Sequence, residues 1–225
     1  SLFIRSSGRF PLTGKGDINT YTVFAEHARS ALSPFGRAGI IVPTGIATDA
    51  TTAAFFGDLV DRASLVSLYD FENREKLFPI DSRMKFCLLT MAGSRARSSA
   101  FDLAFFLHKI DHLNDEHRHF TLTPEEIALI NPNTKNCPIF RSKRDAEITK
   151  AVYRRVPVLI NESLGEKGNP WRVSFQAMFH MSNDSHLFRT REQMEEAGFV
   201  LQGNRFVKGN EVWLPLYEAK MFWHY

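Results

Sequence analysis

Apolar positions recur along the chain with two periods, and the change of period marks the elements. Between residues 17 and 32, Ile18, Tyr21, Ala25, Ala28 and Leu32 share one face at helical spacing. Asp17 stands where a carboxylate can accept the orphan N–H groups of a first turn, and Ser33-Pro34-Phe35-Gly36 closes the helix. Ala38 to Val42 is a short continuous apolar run bounded by Gly and Pro, the pattern of a strand buried in a parallel sheet. A second helix is predicted from Asp49, with Phe55, Phe56, Leu59 and Val60 inward, then strands at Leu65–Phe71, Met84–Met91 and Phe101–His108. Strands alternating with helices over short connections predict an α/β layered sheet. The link from Phe71 to Met84 holds no good helix, so the strands it joins are expected to pair antiparallel.

After residue 110 the texture changes. Asp111 to His119 is polar and rich in His. Thr123-Pro124-Glu125-Glu126 combines a cap, a first-turn Pro and a capping-box Glu, and Asn131-Pro132-Asn133 stops the helix it starts. Ser142-Lys143-Arg144-Asp145 resembles a second capping box and opens a basic helix to about Arg155, and the stretch around Gly165–Pro170 reads as a loop. Trp171, Val173, Phe175, Ala177, Phe179 and Met181 then alternate with polar residues, period two with Met178 the only break, which predicts a half-buried strand. Thr190 to Ala197 is a short capped helix ending at Gly198. Gly203-Asn204 is a two-residue hairpin signal between Phe199–Gln202 and Arg205–Lys208, and Val212–Tyr217 is a further strand. The chain therefore divides into an α/β segment, 1–120, and a smaller α+β segment, 121–225, with a soft boundary between about 120 and 165.

Composition adds little to the class but something to the partner. At 225 residues, with 44% hydrophobic and 24% charged residues, the chain can build a core of its own, and 20 Phe make that core aromatic. No apolar run approaches the roughly 18 residues of a spanning helix. Two cysteines, Cys87 and Cys137, form no disulfide framework and fit a reduced cytoplasm. The first residue is Ser and no signal peptide is visible, so the start reads as cut. Net charge is only +3, but residues 135–155 hold seven basic residues against two acidic ones. That local excess is either a solvated helix face or a surface for phosphates.

The candidate chemistry is an exposed aromatic. Leu77-Phe78-Pro79 lies in the 72–83 loop, which is expected at a sheet edge. An enzyme that modifies a base must extrude it, at a few kcal/mol. A ring beside the pocket returns about 1–3 kcal/mol by stacking. The plainer alternative is a core plug fixed by Pro79. Gly14-Lys15-Gly16 is too short for a phosphate loop. His108, His112, His117 and His119 lack a nearby Cys and a His-Glu-x-x-His pattern, so they read as solvent-exposed histidines and not as a zinc site. No nucleophile-elbow pattern supports a Ser-His-Asp set.

Taken in order, Gly16-Asp17-Ile18-Asn19-Thr20-Tyr21, Gly36-Arg37-Ala38-Gly39-Ile40-Ile41-Val42-Pro43, Leu77-Phe78-Pro79 with its following strand, Pro138-Ile139-Phe140-Arg141-Ser142 and Leu216-Tyr217-Glu218-Ala219-Lys220 resemble the later part of a γ-type N6-adenine DNA methyltransferase of restriction–modification systems. Order and spacing carry the resemblance; no single motif is specific. It implies a partial Rossmann-like methyltransferase sheet over 1–120 and the start of a DNA-recognition region over 121–225. It implies that Phe78 and Pro79 form the loop that stacks a flipped adenine, and that the partner is double-stranded DNA. Arg9 and Lys15 would then lie near the DNA, beside the catalytic motif. Arg141, Lys143, Arg144 and Arg154 would supply phosphate contacts, and Asn183, His186, Arg189 and Arg191 a polar cluster for base edges or phosphates, against the alternative of a self-satisfied loop.

The departures are as informative. The family's Asn/Asp-Pro-Pro-aromatic motif, which holds the adenine amino group, is absent: Asn131-Pro132-Asn133 and Asn169-Pro170-Trp171 do not match. The Gly-rich loop for S-adenosylmethionine is also absent. Both are expected upstream of Ser1, in a missing N-terminal half of the same polypeptide, so these 225 residues alone are expected to bind no cofactor and transfer no methyl group. The alternatives are a non-catalytic DNA-binding module and an unrelated nucleotide-binding α/β enzyme. An upstream reading frame with both motifs would separate the first reading from the second.

Overall fold

A computed structural model describes residues 2–216. It divides into two compact units, Ser1–Val173 and Ser174–Tyr225. The division falls well beyond the change of sequence texture near residue 120, and residues 121–173 belong to the first unit.

The first unit opens with helix α1 (Leu2–Ser6), then α2 (Thr20–Ser30). α2 starts two residues later than a cap at Asp17 predicts: Asn19 occupies the N-cap with no side-chain bond, and Asp17 is exposed. The segment is anchored from inside the helix instead. The buried Glu26 carboxylate accepts the N–H of Leu12 (3.1 Å), the N–H of Thr13 (2.9 Å) and the Thr13 hydroxyl (2.6 Å). Burying that charge is tolerable because it is hydrogen-bonded.

Strand β1 (Arg37–Pro43) is followed by α3 (Gly45–Thr48), a 3₁₀ turn (Ala50–Thr52) and α4 (Ala53–Asp61). Asp49 thus sits between two short helices and does not start one long one. Phe55, Phe56, Leu59 and Val60 are fully buried, as their spacing predicts. Strands β2 (Leu65–Glu72), β3 (Lys85–Ala92), β4 (Phe101–Leu107) and β5 (Phe120–Leu122) complete a five-stranded mixed sheet of order β1-β3-β2-β4-β5. β3 pairs antiparallel with both β1 and β2, and β2 pairs parallel with β4. This is an α/β fold whose sheet is consistent with part of a Rossmann-like sheet.

β1 departs from its sequence pattern. Its continuous apolar run predicts burial on both faces, yet it is an edge strand whose residues alternate between cover and solvent, with Ile41 exposed. An edge strand packs one face on the helices and shows the other. The larger core gathers α4 with Leu68, Cys87, Leu89, Leu103 and Phe105 on the helix-covered face; Phe71, Phe86, Ala104 and Leu107 form a smaller core on the opposite face. Both cysteines are buried and unpaired, and burial pushes both thiols up.

Helices α5 (Pro124–Ile130) and α6 (Lys143–Arg155) finish the unit with the caps their sequences announce. Thr123 and Glu126 form a complete capping box; the second box is half formed, with Ser142 accepting the Asp145 N–H while the Asp145 carboxylate takes the Ser142 hydroxyl at 2.9 Å. The half-buried strand expected over 171–181 does not form: no strand is assigned there, and Trp171, Phe175, Met178 and Met181 are exposed. Period-two alternation makes a strand only where a neighbour supplies hydrogen bonds, and none among the described residues does.

The second unit contains α7 (Arg191–Glu196), capped by a Thr190–Gln193 box, and a three-stranded antiparallel sheet of β6 (Val200–Gln202), β7 (Arg205–Lys208) and β8 (Glu211–Trp213). Gln202 pairs with Arg205 across the two-residue turn, where Gly203 takes φ +63°. The expected strand from Val212 ends at Trp213; the end of that prediction, and Tyr217-Glu218-Ala219-Lys220 of the resemblance, lie outside the described residues.

Candidate functional site

β1 and β2 both oppose β3, and β4 runs with β2, so the carboxyl ends of β1, β2 and β4 point the same way. Pro43, Phe86, Phe71 and Leu107 form one register row across that end of the sheet. In open α/β sheets ligands bind outside the carboxyl ends of the strands. Three features meet there.

The first is the β2–β3 loop. Asn73 is fully buried and organises it from within. Its Nδ2 lies 2.9 Å from the Phe78 carbonyl, 3.2 Å from that of Ile80 and 3.3 Å from that of Asp81, while its Oδ1 accepts the Phe78 N–H at 2.9 Å. The Asn73 N–H donates to the Met84 carbonyl and closes the loop. Lys76, in the left-handed region, caps the Ile80 carbonyl with its Nζ. The Phe78 backbone is thus fixed at both its N–H and its carbonyl. The ring stands edge-on to Phe86 (centroids 4.9 Å, 83°), which stacks on Phe71 (5.3 Å, 5°), and Phe78 remains 37% exposed. Leu77, Ile80 and Met84 are exposed around it.

The second is an open cleft of about 300 Å³ lined by Pro43, Thr44, Gly45, Asp49, Asp70 and Lys85 among others. Asp70 is buried at its wall. It accepts the Thr44 hydroxyl at 2.5 Å on Oδ1 and the Phe106 N–H at 3.3 Å on Oδ2. Burial raises the Asp70 pKa above its ordinary value; the bonds from Thr44 and Phe106 and the charge of Lys85 offset only part of that.

The third is a bulge in β4. Tyr69 pairs with Ala104 but Phe71 with Leu107, so β4 carries one extra residue. Phe106 there adopts φ +60°, and Phe105 and Phe106 both pack toward the helix-covered face. Beside these features Glu72 gathers Arg74 (2.5 Å), His108 (3.2 Å) and Lys85 (3.6 Å). The hydrogen bond from Arg74, with neighbouring cations, holds its carboxyl below the usual range.

The sequence-derived candidates distribute unevenly over the first unit. Phe78, Pro79 and Arg141 lie at or beside this sheet end. Arg9 and Lys15 are exposed in the segment before α2. On α6, Lys143 and Arg144 are exposed, whereas Arg154 pairs with Glu126 at 2.8 Å and the buried Lys150 pairs with Glu126 (3.2 Å) and Glu147 (2.7 Å). Within the second unit, Arg189 donates to the carbonyls of His186 and Phe188, Arg191 pairs with Glu195 at 2.7 Å, and the Asn183 N–H donates to His180.

Asn73, Asp70, Lys85 and the Phe106 bulge escape a reading of the sequence. The only signal for Asn73 is an Asx residue directly after a strand, where such side chains bond the backbone of turns. Three of the four histidines are less exposed than expected: His108 leans on Glu72, His112 accepts the His108 N–H on Nδ1 at 3.2 Å, and His119 is inserted between Asp102 (3.0 Å) and the Leu113 carbonyl (3.0 Å). Tyr69 donates to the same Asp102 at 2.6 Å, and burial together with that bond pushes its phenol up to about 12. No group of three metal-ligating side chains occurs among the described residues, and no helix among them is long and apolar enough to cross a membrane.

No family model matches the chain, and no curated protein matches it. Among solved structures, one that it is similar to is the type IIG restriction endonuclease BpuSI, at 14% identity and a TM-score of 0.37, over 69% of this chain and 18% of that one. The chain therefore spans less than a fifth of that enzyme's length.

Proposed function

We propose that this chain is the base-stacking, DNA-facing part of a site-specific adenine-N6 DNA methyltransferase of a restriction–modification system, working on double-stranded DNA in the cytoplasm. One observation carries the reading: the backbone of Phe78 is held at its N–H and its carbonyl by a buried asparagine, with the ring partly exposed, at the carboxyl end of three co-directional strands. A loop that only plugged the core would bury its ring. A loop that only turned the chain would not need Asn73 bonded at four points. Extruding a base costs a few kcal/mol, and a ring already fixed spends no further entropy when the base stacks on it. The choice of adenine rests on the resemblance carried by Leu77-Phe78-Pro79 and its flanking strands. Pro79 stiffens the backbone behind the ring.

The residues present do not fit S-adenosylmethionine. A donor site needs a Gly-rich turn between strand and helix, and the turn after β1 offers only Gly45, whose Cβ position is filled by the Asp49 carboxylate. In this reading the donor and the motif that holds the amino group are supplied by polypeptide outside residues 1–225, and the chain itself binds DNA and stacks the base. The same misfit favours a second reading, a DNA-recognition module without catalysis.

The test uses the intact protein. Phe78→Ala is expected to lower adenine methylation on the order of tenfold or more, with a much smaller loss of duplex binding. Equal losses count against the stacking role. Failure of the intact protein to transfer a labelled methyl group to adenine in DNA favours the recognition module.

A further inference from the structure

The bulge in β4 has a second consequence. An aromatic residue at φ +60° inside a strand is strained by about 1–2 kcal/mol, and such strain persists only where the surroundings impose it. Here Asp70 imposes it. The buried carboxylate binds the Phe106 N–H and is itself fixed by the Thr44 hydroxyl at the end of β1. The conformation turns the Phe106 ring under the Arg141 guanidinium, with Cζ 4.4 Å from the ring centroid, and Lys85 Nζ lies 5.2 Å from the same centroid. Arg141 is exposed, and no carboxylate among the described residues pairs with it. A guanidinium stacked by its face keeps its N–H edges free, and those edges match the paired oxygens of a phosphate.

We propose that Arg141, stacked on Phe106 and supported by the charge of Lys85, is a phosphodiester-binding subsite for the strand that carries the base stacked on Phe78. The inference rests on the DNA-facing reading of this sheet end. The register supports the pairing of the two sites: Phe78 packs on Phe86, which lies beside Phe71, and Phe71 is paired with Leu107 next to Phe106. Phe86 belongs to the smaller core and Phe106 packs toward the helix-covered face, so the two sites lie on opposite faces of the same sheet end, two strands apart, and the nucleic-acid strand that joins them passes around that end. Asp70 acts as a positioning residue, because it sets the backbone that aims the ring and touches no phosphate.

The test is binding of a single-stranded oligonucleotide to the full chain across a salt series, by anisotropy, with 2-aminopurine in place of adenine as a second readout. Arg141→Ala is expected to weaken binding several-fold for every sequence and to reduce the slope of log K against log salt by about one. Arg141→Lys keeps the charge but not the paired edge contact, and is expected to restore the slope and only part of the affinity. Phe106→Leu, which removes the ring but keeps an apolar side chain, is expected to lose affinity like Arg141→Ala. An unchanged slope in Arg141→Ala overturns the subsite, as does the absence of any binding at low salt. A reduced slope with no Phe78-dependent 2-aminopurine signal leaves the subsite standing and removes the base-stacking reading.

Discussion

The β2–β3 loop and helix α6 both look ready for nucleic acid, yet they spend their polar groups in opposite ways. In the loop, the polar side chain is inward and the apolar one outward: Asn73 is buried and bonded, and Phe78 faces solvent. On α6, two of the cations that make the sequence basic are already engaged, Lys150 and Arg154 on the single carboxylate of Glu126. Burial alone lowers the pKa of Lys150, but its bonds to Glu147 and Glu126 raise it overall. Charge counted along a sequence overstates the charge a surface can offer. An aromatic residue held in place by its neighbours offers more than its count implies.

The largest expected effect falls on the loop. Asn73→Ala removes both ends of a buried network and leaves the Phe78 N–H without its partner. It should cost about 2–4 kcal/mol in urea denaturation and abolish hydrogen-exchange protection of the Phe78 amide. Unchanged stability would mean that the loop is not built on Asn73. Glu126→Ala should cost about 1–2 kcal/mol, because it breaks a capping box and leaves Lys150 with Glu147 alone. The same change frees Arg154, so oligonucleotide affinity should rise while stability falls. An affinity that stays the same while stability falls would place α6 away from any bound oligonucleotide.

The two regions owe different amounts to local sequence. The caps of α5, α6 and α7, the burial of α4, the antiparallel β2–β3 pairing and the Gly203-Asn204 turn were legible, because each is decided within a few residues. The edge position of β1 was not, since an apolar run does not say what lies beside it. The Asp17 cap gave way to Glu26, whose partners are thirteen and fourteen residues away. Of the candidate site, the sequence shows the Phe-Pro loop and the basic stretch. It hides what fixes them. Asn73 looks like any polar residue after a strand, and Phe105-Phe106-Leu107 looks like an unbroken strand where the chain inserts a bulge. The expected strand at 171–181 failed for the same reason, that pairing belongs to the neighbour.

A smaller effect is set by pH. The folded pKa of Asp70 is raised, so in the window between an ordinary carboxylate value and that raised value the folded state holds the extra proton. Asp70 therefore makes stability fall as pH rises through the window. Asp58 works the other way. Burial pushes it up, but hydrogen bonds and charge from Arg62 and Arg29 lower it overall, and its contribution is lost as pH falls. Asp70→Asn cannot ionise, so the stability advantage of the wild type over it should shrink as pH rises from the acid side. A difference that stays flat with pH would contradict the raised value. Arg83→Ala, which removes an exposed pair with Asp81, should leave the unfolding midpoint where it is.

The central claim is that Phe78 is presented to stack on a base. Fluorescence of 2-aminopurine in a single-stranded oligonucleotide, titrated with the chain and with Phe78→Ala, tests it most directly. Quenching on binding that Phe78→Ala abolishes is expected, with affinity weakened by a factor of about 5 to 150 and the unfolding midpoint little changed. Equal quenching by the two proteins would contradict it.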